Sequence, residues 1–129
     1  MNCPRCKTGL TKQDIQVAKN KTVEIDQCPT CEGSWYDFNK LEQVETTIEP
    51  VLVERRQLPS EYEQLEALFC PKCKSTDKPM EKHEHVRDKH VIFDFCTGCG
   101  GVWLDGGELR AIHQENFGKA VIELFRRAL

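Results

Sequence analysis

The stretch Cys96-Thr-Gly-Cys-Gly-Gly-Val-Trp-Leu-Asp-Gly-Gly-Glu-Leu-Arg110 decides the fold, because an earlier stretch, Cys28-Pro-Thr-Cys-Glu-Gly-Ser-Trp-Tyr-Asp-Phe-Asn-Lys-Leu-Glu42, repeats its pattern. Both place a Cys-x-x-Cys pair, a tryptophan, an aspartate and a leucine at the same spacings. Upstream of each stretch stands another pair, Cys3-Pro-Arg-Cys6 in the first copy and Cys70-Pro-Lys-Cys73 in the second. The repeat unit is therefore four cysteines followed by a tail, and it occurs twice.

The cysteine spacing in this repeat is typical of a structural zinc site. All 8 cysteines of the 129-residue chain fall in the four pairs, and 21 or 22 residues separate the two pairs of one copy. Rubredoxin-like iron and a redox dithiol are the alternatives, but four thiolates with no open coordination position favour zinc. We predict two zinc ions per chain, one held by Cys3, Cys6, Cys28 and Cys31 and the other by Cys70, Cys73, Cys96 and Cys99.

The residues between the two pairs of each copy favour a β-hairpin. Apolar and polar side chains alternate there, which is the period of a strand with one buried face. Turn-forming residues precede each alternating run and allow the chain to reverse. The runs are 23–26 after the turn Lys19-Asn20-Lys21, and 91–95 after the turn Arg87-Asp88-Lys89. Each copy is therefore interpreted as a zinc ribbon.

The tail of the second copy predicts a helix directly behind the metal ligands. Asp105 and Glu108 have the spacing of a capping box. Apolar residues then follow at helical spacing until Gly118, namely Leu109, Ile112 and Phe117. The first copy has Asp37 but carries Lys40 in place of the glutamate, so its helix is expected to be shorter and more weakly capped.

Each copy also has a tryptophan, Trp35 or Trp103, between the second cysteine pair and the helix start. An indole at this place can cover the thiolates and hold the helix against the hairpin. A surface platform that stacks a base or a peptide is the alternative. We favour packing in the core.

The pattern Cys-Pro-x-Cys followed by Cys-x-x-Cys-x-Gly-x-Trp-x-Asp-x-x-x-Leu resembles the TFIIB-type zinc-finger family of small bacterial proteins. The second copy fits closely through Cys99-Gly-Gly-Val-Trp-Leu-Asp-Gly-Gly-Glu-Leu109, whereas the first departs at Glu32, Tyr36 and 38–40. The resemblance covers roughly residues 1–45 and 70–112. It implies a zinc-binding ribbon fold and specifies neither a reaction nor a partner.

The organisation predicted from these patterns has four segments. They are a first zinc ribbon at 1–45, an acidic linker with a short helix at 46–69, a second ribbon at 70–118 and an amphipathic C-terminal helix at 119–129. Ser60 and Glu63 form a capping box for the linker helix. Its expected buried stripe is Tyr62, Leu65, Leu68 and Phe69. The predicted fold class is a small metal-stabilised α+β protein.

Composition narrows the cellular context. No apolar run approaches the roughly 20 residues that cross a bilayer, and Met1 is followed by Cys3 and Arg5 rather than by an apolar leader. We therefore expect a cytoplasmic protein that does not enter a membrane. Thiols stay reduced in that compartment, which again favours metal over disulfides.

Histidines and scattered basic residues permit two further readings. His83, His85 and His90 lie in the second hairpin, where a solvated polar face is favoured over a second metal site, and His113 is expected on an exposed helix face.

The first ribbon is basic and is a candidate phosphate-contacting face. Its residues are Arg5, Lys7, Lys12, Lys19 and Lys21. A net charge of -3 argues against nucleic-acid binding over the whole surface.

The functional prediction is a zinc-binding, non-catalytic module that binds another protein. A nucleic-acid-binding or transcription-related protein is the alternative. An enzyme is disfavoured because a four-cysteine site keeps no position for water, and the sequence contains no recognisable catalytic set. The C-terminal helix at 119–129 either completes the fold or serves as a docking handle, and it could join two chains in a homodimer.

Overall fold

The computed structural model describes residues 1–45, 59–74, 77–84 and 91–108. In chain order the elements are β1 (Thr11–Ala18), β2 (Lys21–Gln27), β3 (Ser34–Tyr36), α1 (Lys40–Glu45), α2 (Glu61–Gln64), β4 (Glu81–Glu84), β5 (Ile92–Phe95) and β6 (Val102–Leu104). The predicted C-terminal helix, the helical positions from Leu109 to Phe117, and His85, His90 and His113 lie outside the described residues. No helix in the described ranges is long and apolar enough to cross a membrane.

The six strands form a single antiparallel sheet in the order β1-β2-β3-β6-β5-β4. Each cysteine repeat supplies three consecutive strands, and the two halves join where β3 pairs with β6. In that pairing Trp35 lies opposite Trp103. The two tryptophans hold the same place in their repeats, so an approximate two-fold axis passes between them.

The first hairpin follows the predicted alternation. β1 and β2 pair around a turn at Lys19 and Asn20, and the buried Val23 and Ile25 lie on the same face as Ile15. The hairpin prediction is confirmed for this repeat. Strands of an antiparallel sheet with one face in solvent show this alternation, and β2 departs from it only near its end, where Asp26 is buried beside Ile25.

The second hairpin departs from that alternation, because β5 is buried along its whole length. The reason is α2, which packs against this strand. The buried Gln64 accepts a hydrogen bond from the backbone N–H of Ile92, with the oxygen 2.6 Å from the nitrogen. In a strand that is covered on both faces, the side chains are buried at every position instead of at every second one.

The centre of the sheet is buried on both faces, and the faces have different compositions. Tyr36 of β3 and Val102 and Leu104 of β6 belong to an aliphatic and aromatic core that α1 covers with Leu41 and Val44. Trp35 and Trp103 point to the opposite face, where they pack with the cysteines. One face therefore holds the sheet to a helix, and the other holds it to the metal ligands.

The expected apolar stripe of the linker is wrong at two positions. Tyr62 and Leu65 are 89% and 53% exposed, whereas Leu68 is buried. The short helix α2 instead turns Gln64 toward the sheet, because this side chain satisfies a backbone N–H of β5 that an apolar residue would leave unpaired.

Candidate metal centres

The four Cys-x-x-Cys turns share one backbone conformation. In each, the residue after the second cysteine donates its N–H to the carbonyl of the first cysteine and has a positive φ, between 57° and 76°. The donor and acceptor pairs are Lys7 to Cys3 (2.9 Å), Glu32 to Cys28 (3.0 Å), Lys74 to Cys70 (3.1 Å) and Gly100 to Cys96 (2.8 Å). Three of these residues carry side chains, for which the left-handed conformation costs on the order of 1 kcal/mol.

In this turn, backbone N–H groups point toward the sulfur atom of the first cysteine. The N–H of Cys6 lies 3.2 Å from the sulfur of Cys3, and the N–H of Cys73 lies 3.3 Å from the sulfur of Cys70. Cys28 accepts a similar contact from the N–H of Cys31 at 3.4 Å. Such hydrogen bonds favour the thiolate, which is the form that binds metal.

The turns bring each predicted quartet together. The four sulfur atoms of Cys3, Cys6, Cys28 and Cys31 lie within 4.8 Å of one another, as do those of Cys70, Cys73, Cys96 and Cys99. The sulfur–sulfur distances are 3.8 Å for Cys3–Cys31, 3.7 Å for Cys70–Cys99 and 3.8 Å for Cys73–Cys96. A tetrahedron with Zn–S bonds of about 2.3 Å has edges of about 3.8 Å. Each quartet therefore fits one zinc ion, consistent with two per chain.

Without a metal, pairs of sulfurs within each quartet share a proton. Hydrogen bonding by Cys31 lowers the pKa of Cys3 to about 5, and hydrogen bonding by Cys70 does the same for Cys99. The pKa of each partner, Cys31 or Cys70, is raised because it holds the shared proton. Bound zinc would replace these protons and tie each hairpin to its first turn through four bonds.

The two quartets differ in exposure. Cys3, Cys28 and Cys31 are buried and Cys6 is half-buried, whereas Cys73 of the second quartet is exposed. The second site is therefore the more accessible one.

The tryptophan of each repeat packs against the other repeat. Trp35 and Trp103 are both fully buried. A Cβ built on Gly101 would lie 2.1 Å from Cζ2 of Trp35, and one built on Gly33 would lie 2.2 Å from Cζ2 of Trp103. The Cys-x-Gly-x-Trp pattern thus encodes a contact in which the indole of each repeat lies on the glycine of the other. Core packing was predicted from the sequence, but its crossing between repeats was not.

The charged residues of each repeat also bind to the other repeat. Arg5, between Cys3 and Cys6, donates to both carboxylate oxygens of Asp105 at 3.0 and 3.1 Å. Lys72, at the matching place in the second repeat, donates to Asp37 at 3.1 Å. The equal positions of the basic residue and the aspartate in both copies were the signal that could have revealed this pairing.

The two aspartates also accept the indole N–H groups of their own repeats. Trp103 donates to Asp105, and Trp35 donates to Asp37, each at 3.1 Å. The carboxylate of Asp105 thus binds an indole and a guanidinium, contacts that its capping-box spacing did not indicate. The helix that Asp105 was predicted to cap lies mostly outside the described residues. Each aspartate joins the tryptophan of one repeat to the first cysteine turn of the other.

The approximate symmetry breaks at Glu108. Lys40 occupies the equivalent place in the first repeat and lies 3.5 Å from Asp37. Glu108 is fully buried, and burial together with the negative charges of Asp105 and Asp94 raises its pKa well above the usual range. Burial likewise raises the pKa of Asp94 to about 7, although Lys82 lies 2.7 Å away. Asp94 has a buried counterpart in the first repeat, Asp26, so the buried carboxyl group that distinguishes the second repeat is that of Glu108.

Several residues singled out for other roles are engaged locally. Lys12 pairs with Glu24 at 3.0 Å and lies 3.6 Å from Asp26, and Lys7 donates to the carbonyl of Pro4 at 3.1 Å. Among the described residues, groups of three or more potential ligands come close enough to hold a metal only in the two cysteine quartets.

His83, the described member of the histidine group, packs within the second hairpin. Its ring lies 3.0 Å from a carboxylate oxygen of Glu81 and stacks on Phe93 with a centroid distance of 5.6 Å. The ring is thus engaged by its neighbours in β4 and β5.

The model of one protein family, the transcription factor zinc-finger, matches residues 2–46 and 69–115, which are most of the chain. No significant match was found among curated proteins or among solved structures. The two matched ranges coincide with the two cysteine quartets and the strands that carry them. The chain therefore belongs to the transcription factor zinc-finger family and contains two tandem copies of its zinc ribbon.

Proposed function

We propose that this protein is a non-catalytic, zinc-stabilised module that binds another protein. Four thiolates per ion fill a tetrahedral coordination sphere and leave no position for a reacting water, so the metal serves to hold the fold. A role in protein binding is supported by an exposed apolar surface at the short helix α2, which is held in place by hydrogen bonds.

That surface is formed by Tyr62 and Leu65, which lie one helical turn apart and are 89% and 53% exposed. The N-terminal side of α2 is fixed by two hydrogen bonds, and its last residue, Gln64, is bonded to Ile92 of β5. The Ser60 hydroxyl accepts the N–H of Glu63, and the side-chain amide of Gln64 donates to the carbonyl of Pro59 at 2.8 Å. An exposed aromatic on an ordered element loses little entropy on binding, which is why tyrosine is enriched at protein interfaces.

The fitting partner is a protein with an apolar groove for these two side chains. Nucleic acid fits this surface less well, because Glu61, Glu63 and Glu66 surround it with negative charge. Two of the basic residues of the first repeat are also paired with carboxylates, Arg5 with Asp105 and Lys12 with Glu24.

The test uses immobilised zinc-loaded protein and compares it with the Tyr62→Ser/Leu65→Ser double variant. A specific partner should be retained by the native protein and by the control Gln13→Ser, which alters an exposed residue of β1, but lost from the double variant. The variants should keep two zinc ions and the native unfolding midpoint, since neither side chain is buried. Retention that disappears with nuclease and weakens steeply with salt would instead support nucleic-acid binding and contradict this proposal.

A further inference from the structure

We infer that Arg5 and Lys72 are positioning residues for the zinc site of the opposite repeat, so that occupancy of one site strengthens zinc binding at the other. Each of these side chains lies between the two cysteines of a first turn and reaches a carboxylate of the other repeat. This coupling of zinc affinity between the two repeats does not depend on any partner.

The first link runs from the first zinc site to Asp105. Arg5 is held between Cys3 and Cys6, whose turn keeps a left-handed residue at Lys7. Thiolates in such a turn repel one another until a cation neutralises them. Zinc in the first site therefore fixes the backbone from which Arg5 extends.

The second link runs from Asp105 into the second site. Asp105 directly follows β6, and this strand continues from the turn made by Cys96 and Cys99. The carbonyl of Gly101, at the start of the strand, accepts the N–H of Cys96 at 3.0 Å. By holding the end of β6, Arg5 favours the strand position in which these two sulfurs face the other pair.

The same path exists in the reverse direction. Lys72 lies between Cys70 and Cys73 and holds Asp37, which directly follows β3. The carbonyl of Gly33 accepts the N–H of Cys28 at 2.8 Å. Zinc in either site thus orders a strand that leads out of the other, and thermodynamic linkage makes the coupling equal in both directions.

The two links are unequal in strength. Arg5 makes two hydrogen bonds to Asp105, and the side chains of the two residues are 18% and 3% exposed. Lys72 makes one, and its side chain and that of Asp37 are 52% and 28% exposed. Because solvent weakens exposed ion pairs, Arg5 carries the larger share of the coupling.

The experiment measures the zinc affinity of the second site with the first site intact or disabled. A chromophoric chelator competes for zinc while the amide signal of Gly98, in the second site, reports its occupancy by NMR. Arg5→Ala is compared in the native chain and in the Cys6→Ser background, which disables the first site. Lys7→Ala is the control, because it removes a positive charge from the same turn, and the ammonium group of Lys7 donates to the carbonyl of Pro4 in its own repeat.

We expect Arg5→Ala to weaken zinc binding at the second site by about tenfold in the native chain and to have no further effect in the Cys6→Ser background. Lys7→Ala should leave the affinity unchanged, and Arg5→Lys should regain part of it. No loss with Arg5→Ala, or an equal loss in both backgrounds, would overturn the inference.

Native mass spectrometry provides the test if Cys6→Ser does not fold. At half-saturation, loss of positive coupling increases the share of the one-zinc species, so Arg5→Ala should raise this share above that of the native chain, whereas Lys7→Ala should not. An unchanged or lower one-zinc share in Arg5→Ala would contradict the coupling.

Discussion

Replacing Gly101 with alanine tests whether the two repeats are joined through their tryptophans. The added Cβ would lie 2.1 Å from Cζ2 and 2.5 Å from Cη2 of Trp35. Carbon atoms in contact are normally about 3.5–4.0 Å apart, so the indole or the strand has to move by roughly 1.5 Å. Trp35 is fully buried and its N–H is bonded to Asp37, so it has little freedom to move. We expect a loss of about 1–3 kcal/mol in the free energy of unfolding.

The measurement is denaturant-induced unfolding of the zinc-loaded protein. Gly9→Ala is the matched control, since its Cβ meets nothing closer than 4.0 Å and should leave stability unchanged or slightly higher. Trp35→Phe, which shortens the ring system over Gly101, should partly rescue Gly101→Ala, whereas Trp103→Phe should not. Equal stability of the two alanine variants, or equal rescue by both phenylalanines, would refute the crossed packing.

Three further outcomes are expected. Elemental analysis of protein purified without chelator should find two zinc ions per chain, and a reproducible value of one or none would contradict the two-site interpretation. Asp105→Ala should lower the free energy of unfolding by roughly 2–4 kcal/mol, because it leaves the buried N–H of Trp103 unpaired and leaves the half-buried Arg5 with only its exposed partner Glu66. Asp37→Ala should lower it by about 1 kcal/mol, because Lys72 is exposed, and equal losses would refute this difference. The raised pKa of buried Glu108 means that stability falls as pH rises from its ordinary 4.5 toward the folded value. Glu108→Gln should therefore flatten the decline of stability that is measured as the pH rises above 4.5, and an unchanged slope would contradict the assignment.

The metal sites could be predicted from the sequence because their information is local. A Cys-x-x-Cys turn specifies its own geometry, and two such turns around a hairpin leave few ways to arrange four sulfurs. The first hairpin was equally readable, since the alternation of Val23 and Ile25 with polar neighbours reports a single buried face. These features depend on contacts within one repeat.

The joining of the repeats was not predicted, because it depends on contacts between distant segments. Ser34 to Tyr36 is too short for any periodicity to mark it as a strand, yet it lies at the centre of the sheet. Asp105 fits a helix cap by local spacing, but Arg5, 100 residues away, binds its carboxylate. Tyr62 is likewise exposed because the hydrogen bond between Gln64 and β5 turns Gln64 toward the sheet. Helical periodicity alone cannot predict such a contact.

The two-fold arrangement gives a physical reason for the duplication. A fully buried tryptophan removes about 200 Å² from water, which corresponds to roughly 5 kcal/mol of hydrophobic stabilisation. A single ribbon lacks the glycine and the basic residue of a second copy to cover that indole, so it would leave much of this apolar surface in solvent. Each ribbon carries both an indole and a surface that can cover the indole of another copy. Two copies therefore bury each other's tryptophans with residues that are already part of the repeat. The motif residues outside the cysteines are therefore best understood as an interface, and substitutions at Gly33, Arg5 or Asp37 should affect the repeat opposite to the one that contains them.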